Sequence, residues 1–302
     1  MVTGGGTGIG RATAGMLAGE GYDVIIVGRR PDVLAEAVKW IGPQATAVTA
    51  DCADPAQLPT LVEAVAGRPV DVLVNNAGAF ISPSPAASSS PAASSSPAAS
   101  SSPAASSSPA ASSSPAASSS PAASSSPGVA PSPGAAASSG AAASPGAADG
   151  GADLAELAAR WRATFDSNVT TAVLTTEALR PFLRRPGGRV ILTSSIAAQR
   201  GGGGPYSAAK AALHGWMFDL ATQLGPEGIT ANVIAPGYVT DSEFFTGRMT
   251  EEGHRHRVEA TLVKRAGLPD DIAEAVRWLA GPGGTFVTGQ IINVNGGSVL
   301  GR

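Results

Sequence analysis

Residues 3–10 read TGGGTGIG, and the reading of this stretch decides the fold. Gly4, Gly8 and Gly10 stand between a short apolar start and a run over 9–19 whose apolar residues recur at helical spacing. Glycine permits a tight turn and lets the backbone approach a pyrophosphate, whose charge then faces the helix N-terminus. Thr7 and Ile9 lie inside the same turn and join the three glycines as candidate contacts. The competing reading is an ordinary glycine-rich turn, because the chain holds 38 glycines. A mononucleotide-binding unit needs a strand of five or six residues ahead of such a turn. Only Met-Val-Thr is present, so the first strand is expected to be a truncated stub.

Working outward, short apolar runs at 24–27 (VIIV), 45–49, 70–74, 190–193, 230–234 and 290–294 predict strands. Their unbroken apolar character fits a parallel sheet covered on both faces. Helices are predicted at 9–19, 31–40, 55–66, 153–184, 205–224 and 269–280. The alternation argues for an α/β fold, a single doubly wound Rossmann-type domain with a mostly parallel, seven-stranded sheet. The helix from Asp153 carries Leu157, Trp161, Phe165, Val169 and Val173 at helical spacing, an apolar stripe wide enough for the sheet and a partner subunit.

Of the 302 residues, 82–148 are almost wholly Ser, Ala, Pro and Gly, with PAASSS repeated seven times from Pro85. No side chain in the repeat is larger than Pro or Ala, too little to offset chain entropy, so this segment is expected to be a disordered insertion. Residues 1–81 and 149–302 then form one domain of about 235 residues. A net charge of −3 points to neither a nucleic-acid nor a membrane-surface partner. The single cysteine, Cys52, excludes an internal disulfide and suits a reducing compartment. No secretory leader and no apolar run of about 20 residues is seen, so a cytoplasmic location is expected.

Further motifs follow the predicted strands. After VIIV come Gly28, Arg29 and Arg30, where dinucleotide-binding folds carry an acid for the ribose hydroxyls or an Arg for a 2′-phosphate. The two arginines favour NADP(H) over NAD(H). Asp51 can accept from an adenine amino group or serve a local turn; Cys52 beside it reads first as a small packed residue and is kept as a cofactor-side candidate. NNAG at 75–78 offers Asn76, whose amide both donates and accepts, followed by the close backbone of Ala77 and Gly78. Tyr206 and Lys210 in PYSAAKAAL share a helix face, a spacing that would bring an ammonium near a phenol, lower its pKa and suit it to proton transfer near neutral pH; for the motif alone, a surface Lys beside a half-buried Tyr is the favoured alternative.

In this order TGGGTGIG, Asp51, NNAG, the Asn of FDSNV, the Ser of LTSSIAA, YSAAK and the PG of IAPGYVT resemble the short-chain dehydrogenase/reductase family over all but the repeat. The resemblance implies that Tyr206 is the catalytic acid/base and that Lys210 lowers its pKa and bonds the nicotinamide ribose. It implies that Ser195 holds the substrate oxygen and that Asn168 anchors a water behind Lys210. Ser194 competes with Ser195, which is preferred because Ser195-Ile196-Ala197-Ala198 fits the family's serine segment. The Ser–Tyr interval is short, so the 201–204 glycine loop must be tight. Pro236 and Gly237 would lie along the nicotinamide, with Val239 offering its backbone and Thr240 or Ser242 a hydroxyl. Residues 238–267 resemble a mobile substrate lid, with Phe244, Phe245 and Met249 on its inner face. His254 and His256 lack an acidic or Cys partner at ligand spacing and read as a solvated lid face, so no metal is expected.

The resemblance thus implies an NADP(H)-dependent oxidoreductase acting on a small-molecule carbonyl/alcohol pair, with 3-oxoacyl thioesters as the leading substrate class and a homodimer or homotetramer as the assembly. The rival reading is a nucleotide-binding module without catalysis.

Overall fold

The computed structural model describes residues 1–81, 153–241 and 249–301. The apolar runs form β1 (Val2–Thr3), β2 (Val24–Gly28), β3 (Ala45–Thr49), β4 (Val72–Asn75), β5 (Arg189–Thr193), β6 (Thr230–Pro236) and β7 (Ile291–Val294). They make one sheet in the order β3-β2-β1-β4-β5-β6-β7, and every pairing is parallel. The stub strand β1 holds the centre, with Val2 opposite Ile26 on one side and Val74 on the other. Both faces are covered, which is why β5 and β6 are buried at every position.

On one face, α1 (Gly8–Gly19), α2 (Pro31–Ile41) and α9 (Pro269–Ala280) bury Leu17, Leu34, Ile272 and Val276 against Ile26 and Val74. On the other, α3 (Leu58–Val65), α5 (Thr171–Leu179) and α7 (Pro205–Leu224) bury Leu61, Leu179, Leu213 and Met217 against Leu73 and Leu192. Strand order turns outward on either side of the β1–β4 seam, so the crevice at the carboxyl ends of these strands is the expected ligand position.

Several predicted bounds change. The helix over 153–184 is α4 (Leu154–Phe165), a π turn at Asp166–Thr170, α5, and a 3-10 turn at Arg180–Phe182. Asp153 caps α4 by accepting from Ala155 N at 2.8 Å. The helix predicted over 55–66 begins as a 3-10 turn, Pro55–Gln57, whose backbone Asp54 caps. Val70 makes only an isolated bridge to Leu183 ahead of β4. Two short helices were not anticipated: α6 (Ala197–Arg200) and α8 (Glu251–Glu259), the latter within the 238–267 segment. The expected insertion at 82–148, and Ser242, Phe244 and Phe245, lie outside the described residues. No helix among the described residues is long and apolar enough to cross a membrane.

Candidate active site

The glycine turn is built for close approach. Gly4 and Gly8 have φ of +65° and +49°, and Gly4 N donates to Val27 O at 2.8 Å. A methyl carbon on Gly10 would stand 2.1 Å from Gly4 O and 2.6 Å from Asn76 Nδ2, so only glycine fits. Thr7 precedes α1 in extended geometry without capping it through its side chain, and the first turn holds no acidic residue. The α1 N-terminus is therefore left to receive an anion. Ile9 packs partly buried against the core. The NNAG turn locks onto this loop: Asn76 N and Ala77 N each donate to Thr3 Oγ1 at 3.0 Å, and Asn76 Nδ2 donates to Thr3 O at 3.2 Å.

Around Gly78 the predicted catalytic residues converge. A methyl carbon there would stand 2.6 Å from Asn168 Oδ1 and 2.9 Å from Lys210 Nζ. Asn168 sits in the π turn, a helix irregularity that often marks a functional site. Its Nδ2 donates to Ala79 O at 2.7 Å and Thr164 O at 2.9 Å. Its Oδ1 is buried and, among the described residues, has no hydrogen-bond partner. Lys210, 3% exposed, donates to Thr193 O at 2.9 Å. Ser195 hydrogen-bonds the Tyr206 phenol and also accepts from Ala197 N at 3.1 Å. The Lys210 ammonium lies 5.7 Å from the Tyr206 ring centroid.

The electrostatics correct one expectation. Lys210 was expected to lower the Tyr206 pKa, but in the protein alone burial outweighs the Ser195 hydrogen bond and pushes the phenol up to about 12. Burial also brings the Lys210 ammonium down to about 8. Desolvation penalises both charged forms here, and a neighbouring cation does not reverse it.

Ser194 is turned away from this cluster, its Oγ donating to Lys210 O at 2.9 Å, so Ser195 is the serine that meets Tyr206. The glycine loop is tight as expected: Gly201, Gly202 and Gly204 have positive φ, and Gly203 N donates to Ser207 Oγ at 2.9 Å. The sequence reading missed Phe80, whose ring lies 5.7 Å from that of Tyr206 at an interplanar angle of 58°. Its only signal was an aromatic two residues after NNAG.

The remaining candidates line the sheet's carboxyl edge. Pro236 closes β6, and Gly237 presses so closely on Asn295 that a methyl carbon would stand 2.7 Å from its Cα. Val239 bridges Gly267, and Thr240 N donates to Gly267 O at 2.9 Å. Arg29 and Arg30 are exposed just beyond β2. Asp51 makes a local turn, accepting from Ala53 N at 3.0 Å, which is the alternative its sequence position allowed. Cys52 packs in the core at 5% exposure, and burial raises its thiol pKa, so its side chain faces the hydrophobic interior. His254 is not merely solvated: its Nδ1 lies 2.8 Å from Tyr238 Oη. Met249 Sδ lies 3.7 Å from Arg257 Nη1.

A model described as short chain dehydrogenase matches residues 1–96, and one described as enoyl-(acyl carrier protein) reductase matches 138–298, more than half of the chain. Acetoacetyl-CoA reductase of Cupriavidus necator is 34% identical over 147 residues, 47% of this chain and 58% of that protein. A 3-oxoacyl-[acyl-carrier-protein] reductase of Synechocystis is 34% identical over 46% of this chain and 56% of its own length. The chain thus matches somewhat over half the length of these relatives. A short-chain dehydrogenase from Burkholderia cenocepacia, solved with NADP, superposes with a TM-score of 0.68 at 28% identity, covering 98% of this chain and 96% of the other. A blue fluorescent protein from a metagenomic library, solved with NADPH, gives 0.68 at 28% identity over 99% and 96%.

Proposed function

The chain belongs to the short-chain dehydrogenase/reductase family, and on that premise we propose that it is an NADP(H)-dependent oxidoreductase acting on a carbonyl/alcohol pair, with 3-oxoacyl thioesters as the leading substrate class. The observation that carries this reading is the convergence of Asn168, Lys210, Tyr206 and Ser195 beside the Gly78 backbone. Names of the relatives, acetoacetyl-CoA reductase and 3-oxoacyl-[acyl-carrier-protein] reductase, support the substrate class.

The residues present fit a dinucleotide. The bare α1 N-terminus and the turn of Gly4, Thr7, Gly8, Ile9 and Gly10 would hold the pyrophosphate. Arg29 and Arg30 would hold a 2′-phosphate, with Asp51 on the adenine side. Asn76, Ala77, Gly78, Pro236, Gly237, Val239 and Thr240 would line the nicotinamide end. When bound, the nicotinamide supplies or accepts the hydride at the carbonyl carbon.

The chain's own residues handle the oxygen and its proton. With a pKa near 12, Tyr206 is protonated at neutral pH and ready to donate to the oxygen that gains charge during reduction. Ser195 holds that same oxygen through its hydroxyl. Lys210, charged below about pH 8, stabilises the phenolate left behind. Asn168 Oδ1, without a hydrogen-bond partner among the described residues, offers an acceptor next to Lys210 that would anchor a water, and that water would resupply the proton. A homodimer or homotetramer is part of the proposal, since α4 and α7 expose Leu154, Trp161 and Phe218; light scattering at micromolar concentration tests it.

The deciding assay follows NADPH oxidation with ketones and 3-oxoacyl thioesters, alongside Tyr206→Phe. Turnover in the wild type and a loss of roughly a hundredfold in the variant, with cofactor affinity preserved, are expected. No turnover on any carbonyl would refute the reading.

A further inference from the structure

The exit of β5 delivers three consecutive residues to α7, and the chemistry above uses only the outer two. Thr193 O takes the Lys210 ammonium, and Ser195 meets the Tyr206 phenol. Between them Ser194, 3% exposed, sets its Oγ 2.9 Å from Lys210 O and 2.8 Å from His214 Nε2. His214 lies one helical turn beyond Lys210 and two beyond Tyr206, on the same face of α7.

Proton counting fixes the direction of these bonds. A serine hydroxyl has one proton, and a backbone carbonyl only accepts. The Ser194 proton goes to Lys210 O, so His214 Nε2 must be the donor to Ser194 Oγ. In the neutral ring this leaves Nδ1 bare. Burial lowers the His214 pKa, which favours the neutral ring.

We infer that Ser194 and His214 form a positioning pair, which clamps the end of β5 to α7 and thereby sets the spacing between Ser195 and Tyr206. The connection along the chain does not do this. It runs through the four residues of α6 and a loop in which Gly201, Gly202 and Gly204 have positive φ, the least constrained kind of backbone. On its other side the strand exit is fixed to the sheet, with Ser194 N donating to Ile234 O at 2.8 Å and Ile196 N to Pro236 O at 3.0 Å. The pair adds a second tie, beside the Lys210 Nζ–Thr193 O bond, to the helix that carries the acid/base.

The kinetic arm of the test rests on the proposed activity, and the spectroscopic arm does not. With NADPH and acetoacetyl-CoA, His214→Ala and Ser194→Ala should lower kcat roughly tenfold. KM for NADPH should stay within about twofold, because the dinucleotide contacts are untouched. His214→Gln, whose amide N–H can reach the same acceptor, should recover most of the loss. An unchanged kcat in His214→Ala, or equal losses in His214→Gln and His214→Ala, would overturn the inference. If His214→Ala does not fold, Ser194→Ala and His214→Gln carry the comparison. The second arm is 15N NMR of histidine-labelled wild type, with the His214 signals identified by their absence in His214→Gln. A protonated Nε2 and bare Nδ1, perturbed in Ser194→Ala, are expected, and an Nδ1–H tautomer would overturn the pair. If the wild type reduces no carbonyl, the functional reading falls and the NMR result alone decides the clamp.

Discussion

Gly78→Ala places a methyl group between Asn168 and Lys210, where there is no room for one. Its Cβ would stand 2.6 Å from Asn168 Oδ1 and 2.9 Å from Lys210 Nζ. Ordinary contact begins near 3.4 Å, so something must move by about 0.8 Å on the Asn168 side. Asn168 cannot withdraw freely, because its Nδ2 is held by Ala79 O and Thr164 O. Lys210 is held by Thr193 O. The 78–80 segment must lift instead, and it carries Phe80 away from the Tyr206 ring. Overpacking of this kind costs about 1–3 kcal/mol. A displacement near 1 Å at a reacting centre lowers turnover by roughly ten- to a hundredfold. The assay pairs kcat for NADPH-dependent carbonyl reduction with a thermal melt, and the expected result is a large loss of kcat with a Tm drop of a few degrees. Gly19→Ala is the control: it lies at the end of α1 with nothing within 4 Å of the added carbon, and the melt should be unchanged or slightly higher. A Gly78→Ala enzyme within about twofold of wild-type kcat and with an unchanged Tm would refute the reasoning, since the crowding would then relax at no cost.

Three further outcomes are expected. Lys210 titrates near 8 when folded and near 10.5 unfolded, so the unfolded chain binds more protons between these values and the Lys210 contribution to stability grows as pH rises from 8 to 10.5. Tyr206, raised from 10 to about 12, acts oppositely, its contribution being lost as pH rises through 10 to 12. Urea denaturation at pH 7.5 and 9.5 should therefore show wild type gaining on Lys210→Met at the higher pH, and a constant difference would count against the buried ammonium. Replacing Arg29 and Arg30 together by Ala should remove a preference for NADPH of about 1.5–3 kcal/mol in titrations with NADPH and NADH; equal wild-type affinities would sink the assignment. Replacing residues 82–148 with a short Gly/Ser linker should leave Tm no lower than in the parent, because that Ser/Ala/Pro composition offers no core-forming side chain; a variant that fails to fold would overturn this.

What was legible in the sequence was what local patterning encodes. A continuous apolar run located β2, the mixed run ATAVT located the partly exposed β3, and Pro205 and Leu224 bounded α7 as expected, since proline suits a helix's first position. The π turn at Asn168 was hidden because the apolar stripe passes through it, and the extra residue shows only in the backbone path. The helix α8 was hidden for the opposite reason: GHRHR presents no apolar face, so periodicity had nothing to mark. At the site, glycine spacing and the Tyr–Lys interval announced the residues but not their proton affinities. Those depend on burial, which the sequence expresses only through the fold. Cys52 shows the same limit, since a small residue after β3 can point to the crevice or to the core, and here it is the core.

The sheet order carries a kinetic consequence. Strands β1, β2 and β3 are brought together by short connections, whereas the register partners Val72 and Arg189, which join β4 to β5, are separated by more than a hundred residues of chain. Every later strand adds outward from that one seam. The seam thus divides the domain into a half assembled over shorter connections and a half whose docking waits on long-range closure. The entropy of that closure grows only logarithmically with the length enclosed. Its distance along the chain therefore bears on how fast the two halves find each other, far more than on how firmly they hold once joined.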